Sequence, residues 1–154
     1  MAHEMAIMKK NELFKKLDEK VLKKFLDLGN VVDIPKDEVF VVEMSKDDRI
    51  ALILAGTVKL EVMISTSNVP IEFGPGELAG LIQYFQDAEP VASFTATAMT
   101  DVRLLVWKAA DWRKICEADF TVGYPVVYYI AKTLIHRVQQ WQMNALNNVS
   151  WGIE

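Results

Sequence analysis

Between Asn11 and Leu28 the apolar residues Leu13, Phe14, Leu17, Val21, Leu22, Phe25 and Leu28 recur at spacings of three and four, with lysines and acids between them. The period predicts one or two helices over residues 11–28 with one buried face, ended by Gly29 and Asn30, which tolerate left-handed backbone. From Val31 the pattern shortens to β-branched runs separated by turn residues: VVDI, EVFVVEM, IALILAG, TVKLEVMI and VPIEF. Strands of this length at short intervals predict an antiparallel barrel or sandwich, and Gly56 within LILAGTVKL marks a bulge or bend. After SFTATA and VRLLVW, joined by a turn at Thr100 and Asp101, the β part closes, so that it spans residues 31–107.

One segment interrupts this β pattern. Three glycines and a proline fall between Gly74 and Gly80, and a short helix is predicted over residues 78–85, followed by an exposed polar connection from Gln86 to Pro90. Glycines this dense either make a tight turn between strands or let the backbone approach a ligand. Beyond Lys108 the period is helical again over residues 111–149. Asp111 is the expected cap of a short helix through Cys116, and a long helix is expected from about Tyr124 to Val149 with Pro125 near its first turn. Along it Val127, Ala131, Leu134, Val138, Trp141 and Ala145 alternate spacings of four and three, a heptad seam suited to pairing with a second copy of the chain or to packing on its own β part.

Composition narrows the functional classes. At 154 residues, 51% of them hydrophobic, the chain is expected to form one domain over residues 1–154 with a core of its own. No apolar run approaches the roughly 20 residues of a membrane-spanning helix, and the start, MAHEMAIMKK, lacks an export signal, so a cytoplasmic protein is expected. Cys116 is the only cysteine and reads as a buried structural thiol. A net charge of −4 argues against generic binding of polyanions, because affinity for phosphate backbones needs clustered cations; the lysines between Lys9 and Lys24 are interleaved with acids as on a solvated helix face. The two histidines, His3 in a terminus expected to fray and His136 on the long helix, cannot furnish a cupin-like metal set, and no cofactor is expected. A lone helical histidine such as His136 reads as a surface or interface residue rather than a haem ligand. No nucleophile and base, nor paired carboxylates, point to catalysis.

The order helix, β-roll, short helix within the roll, long C-terminal helix resembles the cyclic-nucleotide-binding domain of the catabolite activator protein family, protein kinase A regulatory subunits and some ion channels. IPKDEVFVVEMSKDDRIALILAGTVKL at Ile34–Leu60 resembles that family's first strands, with Gly56 where the family has its glycine. FGPGELAG resembles the loop before its phosphate-binding helix, and AMTDVRLLV resembles the following strand pair. The resemblance implies an α+β, mainly β fold: an antiparallel β-roll of jelly-roll type with N-terminal helices and a long C-terminal helix. It also implies a ligand pocket for which Gly80, Leu81, Ile82, Tyr84, Val91, Ala92, Ser93, Arg137 and Trp141 are the candidates, and a homodimer through the long helix.

Four positions depart from the family pattern. Leu81 stands where the family has a ribose-binding glutamate, Ala92 or Val91 where it has a phosphate-binding arginine, and Asp37 and Met44 replace two turn glycines. Independently of the family, no Lys, Arg or His lies between Lys59 and Arg103, whereas six acids do. Losing a charge-assisted partner in a desolvated site costs on the order of 2–5 kcal/mol, so tight binding of cyclic AMP or cyclic GMP by the usual chemistry is not expected. Arg137 could reach the pocket from outside this interval, although an exposed side chain is expected. Trp141 is placed either over a ligand or on the dimer seam, and Tyr84 and Phe85 either line the pocket or fill it. Because the sequence stops at Glu154, without the helix-turn-helix that follows this module in activators, the expectation is a sensor module for a small effector other than a usual cyclic nucleotide, which signals through a protein partner and does not bind DNA. The rival expectation is a structural dimerisation or docking piece whose pocket is filled by Leu81, Tyr84 and Phe94.

Overall fold

The computed structural model describes residues 2–64 and 67–148. Three helices come first: α1 (Ala2–Met8), α2 (Glu12–Lys15) and α3 (Glu19–Leu28). The sequence reading left α1 out. It is anchored by Ile7 and Met8, both buried, and His3 lies on it rather than in a frayed end. The periodic stretch 11–28 is divided in two at Lys16–Asp18; Leu13, Phe14, Leu22, Phe25 and Leu26 are buried, while Leu28 stays exposed.

Eight strands follow: β1 (Asn30–Ile34), β2 (Val39–Val41), β3 (Arg49–Ala55), β4 (Val58–Ile64), β5 (Ser67–Phe73), β6 (Leu78–Ala79), β7 (Thr95–Ala98) and β8 (Val102–Lys108). All pairings are antiparallel and build two four-stranded sheets, ordered β1-β8-β3-β6 and β2-β7-β4-β5. The chain is thus an α+β protein built on an antiparallel β-roll. Pro70, which lacks an N–H, sits in β5 at a sheet edge, where that loss is tolerated.

The sheet ordered β1-β8-β3-β6 is covered on both faces. Ile50, Leu52, Leu54, Leu105 and Trp107 point to the helices, while Ala51, Ile53, Leu104 and Val106 point into the roll. Burial on both faces explains why IALILA reads as a continuous apolar run rather than an alternation. On the helical side Phe14, Phe25, Trp107 and Trp112 form edge-to-face and tilted aromatic pairs with ring centroids 5.1–6.0 Å apart.

Helix α4 (Ala109–Ala118) begins directly after β8 with Lys108 at its cap position, so Asp111 lies in its first turn and does not cap it. The long helix α5 (Phe120–Asn148) starts earlier than expected, because Asp119 accepts hydrogen bonds from the Thr121 N–H at 3.0 Å and the Thr121 hydroxyl at 2.7 Å. Pro125 therefore lies inside the helix, past its first turn. Val149, the expected last residue of α5, lies outside the described residues. At Gly123 the two helices meet so closely that a Cβ would stand 2.4 Å from the Cys116 carbonyl oxygen. No helix among the described residues is long and apolar enough to cross a membrane.

Candidate functional site

The glycine segment is a stitched turn. The Gly76 N–H donates to the Ile53 carbonyl at 2.9 Å, and the Ile53 N–H donates to the Glu77 carbonyl at 3.1 Å, so the turn is bound to β3. Gly76 has φ 90°, and a Cβ there would meet Lys10 Cβ at 3.1 Å. The Glu77 carboxylate accepts from the Gly74 N–H at 2.7 Å, so a protein anion already holds an amide that an anionic ligand would need. Gly80 closes the segment at φ 80°, where a Cβ would stand 2.4 Å from the Arg49 carbonyl oxygen. A 3-10 helix, Leu81–Phe85, follows it, shorter than the helix expected over residues 78–85 because Leu78 and Ala79 pair with β3 as β6; Arg113 donates to the Gln83 and Tyr84 carbonyls at 3.1 Å each, a cation at the negative end of the helix.

Between this short helix, the inner face of β4 and β5, and α5 lies a cavity of about 220 Å³. Of the sequence candidates, Gly80, Leu81, Ile82, Ser93, Arg137 and Trp141 line it, joined by Leu60, Val62, Phe73, Phe94, Leu134 and Val138. The remaining three candidates are elsewhere. Tyr84 belongs to the helical core, where its hydroxyl is pushed up to about 12 by burial and by the neighbouring Cys116; that thiol is itself raised to about 11, chiefly by burial. Val91 is held by two glutamines, its carbonyl accepting from Gln83 Nε2 and its N–H donating to Gln86 Oε1, both at 2.9 Å. Ala92 is buried, is hydrogen-bonded through its backbone to Met44 and Ser45, and faces a space of about 40 Å³ inside the roll, which shares Leu60, Gly80 and Phe94 with the first cavity and is too small for a metabolite.

Arg137 departs most from expectation. Instead of an exposed position it folds inward, its guanidinium 4.6 Å from the centre of the Phe73 ring and donating to the Leu78 carbonyl. Burial lowers its pKa to about 10, against smaller opposing effects of Tyr129 and Glu77. Among the described residues no carboxylate approaches it within 4 Å. One turn further along α5, the Trp141 indole N–H is buried with no hydrogen-bond partner. Sequence reasoning missed Phe73 and Leu78, since their roles depend on contacts with Arg137 across some sixty residues of chain. It also missed Asn11, a buried cap that accepts from the Leu13 N–H at 2.9 Å and donates to the Gly76 carbonyl at 3.0 Å and to the Tyr129 hydroxyl at 3.1 Å. The apolar periodicity gave no sign of that three-way tie between helices and turn.

The seam expected on α5 divides. Val127 and Leu134 pack against the helical core, Trp141 lines the cavity, Ala131 is exposed, and Val138 both lines the cavity and is half-exposed. The exposed stripe runs through Tyr124, Tyr128, Ala131, Ile135 and Val138. The side chain of Ala145 lies outside the described residues. Among the described residues no group of His, Cys, Asp and Glu is placed to hold a metal ion.

The sequence model of the Cyclic nucleotide-binding domain family matches residues 31–119. No curated protein matches the chain. Among solved structures, the N-terminal domain of a transcriptional regulator from Streptomyces coelicolor superposes with a TM-score of 0.69 at 22% identity, over 85% of this chain and 94% of that one. The Thermus thermophilus catabolite activator protein gives 0.70 at 19% identity, over 86% of this chain and 62% of that one. The regulatory domain of Toxoplasma gondii PKA, solved with cAMP, gives 0.65 at 18% identity, over 74% and 43%. At these identities the likeness is one of fold.

Proposed function

Because the chain belongs to the cyclic nucleotide-binding domain family, we propose that it is a regulatory sensor module, binding rather than catalytic, that takes a small molecule other than a usual cyclic nucleotide beneath α5. The observation that carries this reading is the cavity of about 220 Å³, apolar in its walls, with Arg137 and Trp141 presented from the helix that would report occupancy. On the side of the short helix the positions that resemble the family's glutamate and arginine hold Leu81 and either Ala92 or Val91, all apolar. A cyclic phosphate there would lose its countercharge. The occupied cavity shifts α5, and the helix passes the change to a protein partner and to a second copy of the chain paired along its exposed stripe.

One observation favours a purely structural module: Leu81, Tyr84 and Phe94 are buried as a plug would require. They are divided between two cores, however, Leu81 and Tyr84 with the helices and Phe94 inside the roll, and the cavity persists between them. A thermal-shift titration with cyclic AMP, cyclic GMP and cyclic di-GMP beside a small-metabolite library tests the proposal, since any ligand selective for the native state raises Tm. The expected result is a rise with a metabolite and none with the nucleotides. A rise with a cyclic mononucleotide overturns the loss of the usual site, and silence throughout favours the structural module.

A further inference from the structure

We propose that the cavity beneath α5 takes a small monoanion with an apolar body, a monocarboxylic acid of about ten non-hydrogen atoms, whose head group pairs with the Arg137 guanidinium and the Trp141 indole N–H. This rests on the sensor reading above and gives it a ligand class.

Even a partly buried charge such as that of Arg137 is costly unless paired. Arg137 has a carbonyl and an aromatic face, yet among the described residues no carboxylate within 4 Å, so its charge is unmatched in a largely apolar setting. The acid nearest in influence, Glu77, is engaged by the Gly74 N–H. Trp141 adds a second donor without an acceptor, one turn further along α5, enclosed by protein and met by the head group once the indole turns toward it. Ser93, also among the lining residues, carries a hydroxyl. The side-chain polar groups around the space are therefore donors plus one hydroxyl, which selects for an acceptor, and the guanidinium selects for a charged one. The rest of the lining, with Leu60, Val62, Leu81, Ile82 and Phe94, calls for hydrocarbon. Size sets the third limit. A volume of about 220 Å³ equals roughly seven waters of liquid and lies below the roughly 300 Å³ at which pockets for drug-sized ligands begin.

The test compares 3-phenylpropanoate with its neutral amide, beside straight-chain and aryl monocarboxylates of about six to eleven carbons, by thermal shift and isothermal titration calorimetry on the full chain. The acid is expected to raise Tm, and the amide to bind at least about tenfold more weakly. Arg137→Gln should bring the acid down to the affinity of the amide while leaving the amide unchanged. Trp141→Phe, which keeps an aromatic ring and removes the N–H, should weaken the acid several-fold and holds the question open to experiment if Arg137→Gln does not fold. Equal binding of acid and amide overturns the monoanion while leaving a sensor for neutral ligands. Silence across the acid series with a response to another metabolite class also overturns it alone, and silence to every small molecule removes the sensor reading as well.

Discussion

Asp37 and Met44 hold left-handed backbone, at φ 73° and 68°, in the two turns where the family resemblance implies glycine. Each turn is kept by its hydrogen bonds: the Asp37 N–H donates to the Ala98 carbonyl at 2.7 Å and the Met44 N–H to the Ala92 carbonyl at 2.8 Å. A side chain in this conformation costs about 1–2 kcal/mol, less for aspartate, which visits it readily. Met44 is 73% exposed, so little packing offsets the strain. Met44→Gly should therefore stabilise the protein by about 0.5–1 kcal/mol after the greater entropy of the unfolded glycine chain is subtracted, and Asp37→Gly by less. The shift in urea midpoint at constant slope measures both, and a loss of stability in Met44→Gly would reveal a packing role for the thioether. Sequence position alone located these two turns, because the bend needed there survives the change of residue.

At the scale of elements, periodicity was legible where one surface decides the pattern. Strand β7, with its buried alanines alternating with threonines, the helical stretch 11–28 and the long final helix each bury a face that repeats in the sequence. It was less legible where a distant partner decides. Helix α1 is short, and its buried Ile7 and Met8 make too brief a pattern to announce it. Arg137 reads as a surface cation because arginines on helices usually are, and only Phe73 and the Leu78 carbonyl turn it inward. The start of α5 was set by Asp119 rather than by the proline that marks the sequence. The junction of α4 and α5 supplies a prediction at this scale. Gly123→Ala places a methyl group 2.4 Å from a backbone oxygen that cannot swing away, so it should destabilise the protein by about 1–3 kcal/mol. Urea unfolding measures it, and a variant as stable as the parent would mean that α4 and α5 separate freely.

For the whole molecule, the proposed dimer rests on the outward stripe of α5. Tyr128, Ile135 and Val138 are 55%, 60% and 49% exposed, an apolar line along one face of a helix of 29 residues. Ile135→Glu should convert a dimer to a monomer in light scattering behind gel filtration, with the fold kept because Ile135 touches neither core. A parent chain that elutes as a monomer at micromolar concentration would remove the dimer. The same helix is held unequally along its length. Its base is pressed onto α4 at Gly123, and its far half lies over the cavity. Between them Val126 and Ile130 are fully buried in the helical core, which fixes the helix as far as Ile130. As a lever, the arm from Ile130 to Trp141 is about 17 Å long at the rise of an α-helix. A tilt of about 7° beyond Ile130 moves the indole by about 2 Å, the scale of helix shift on which switching proteins operate.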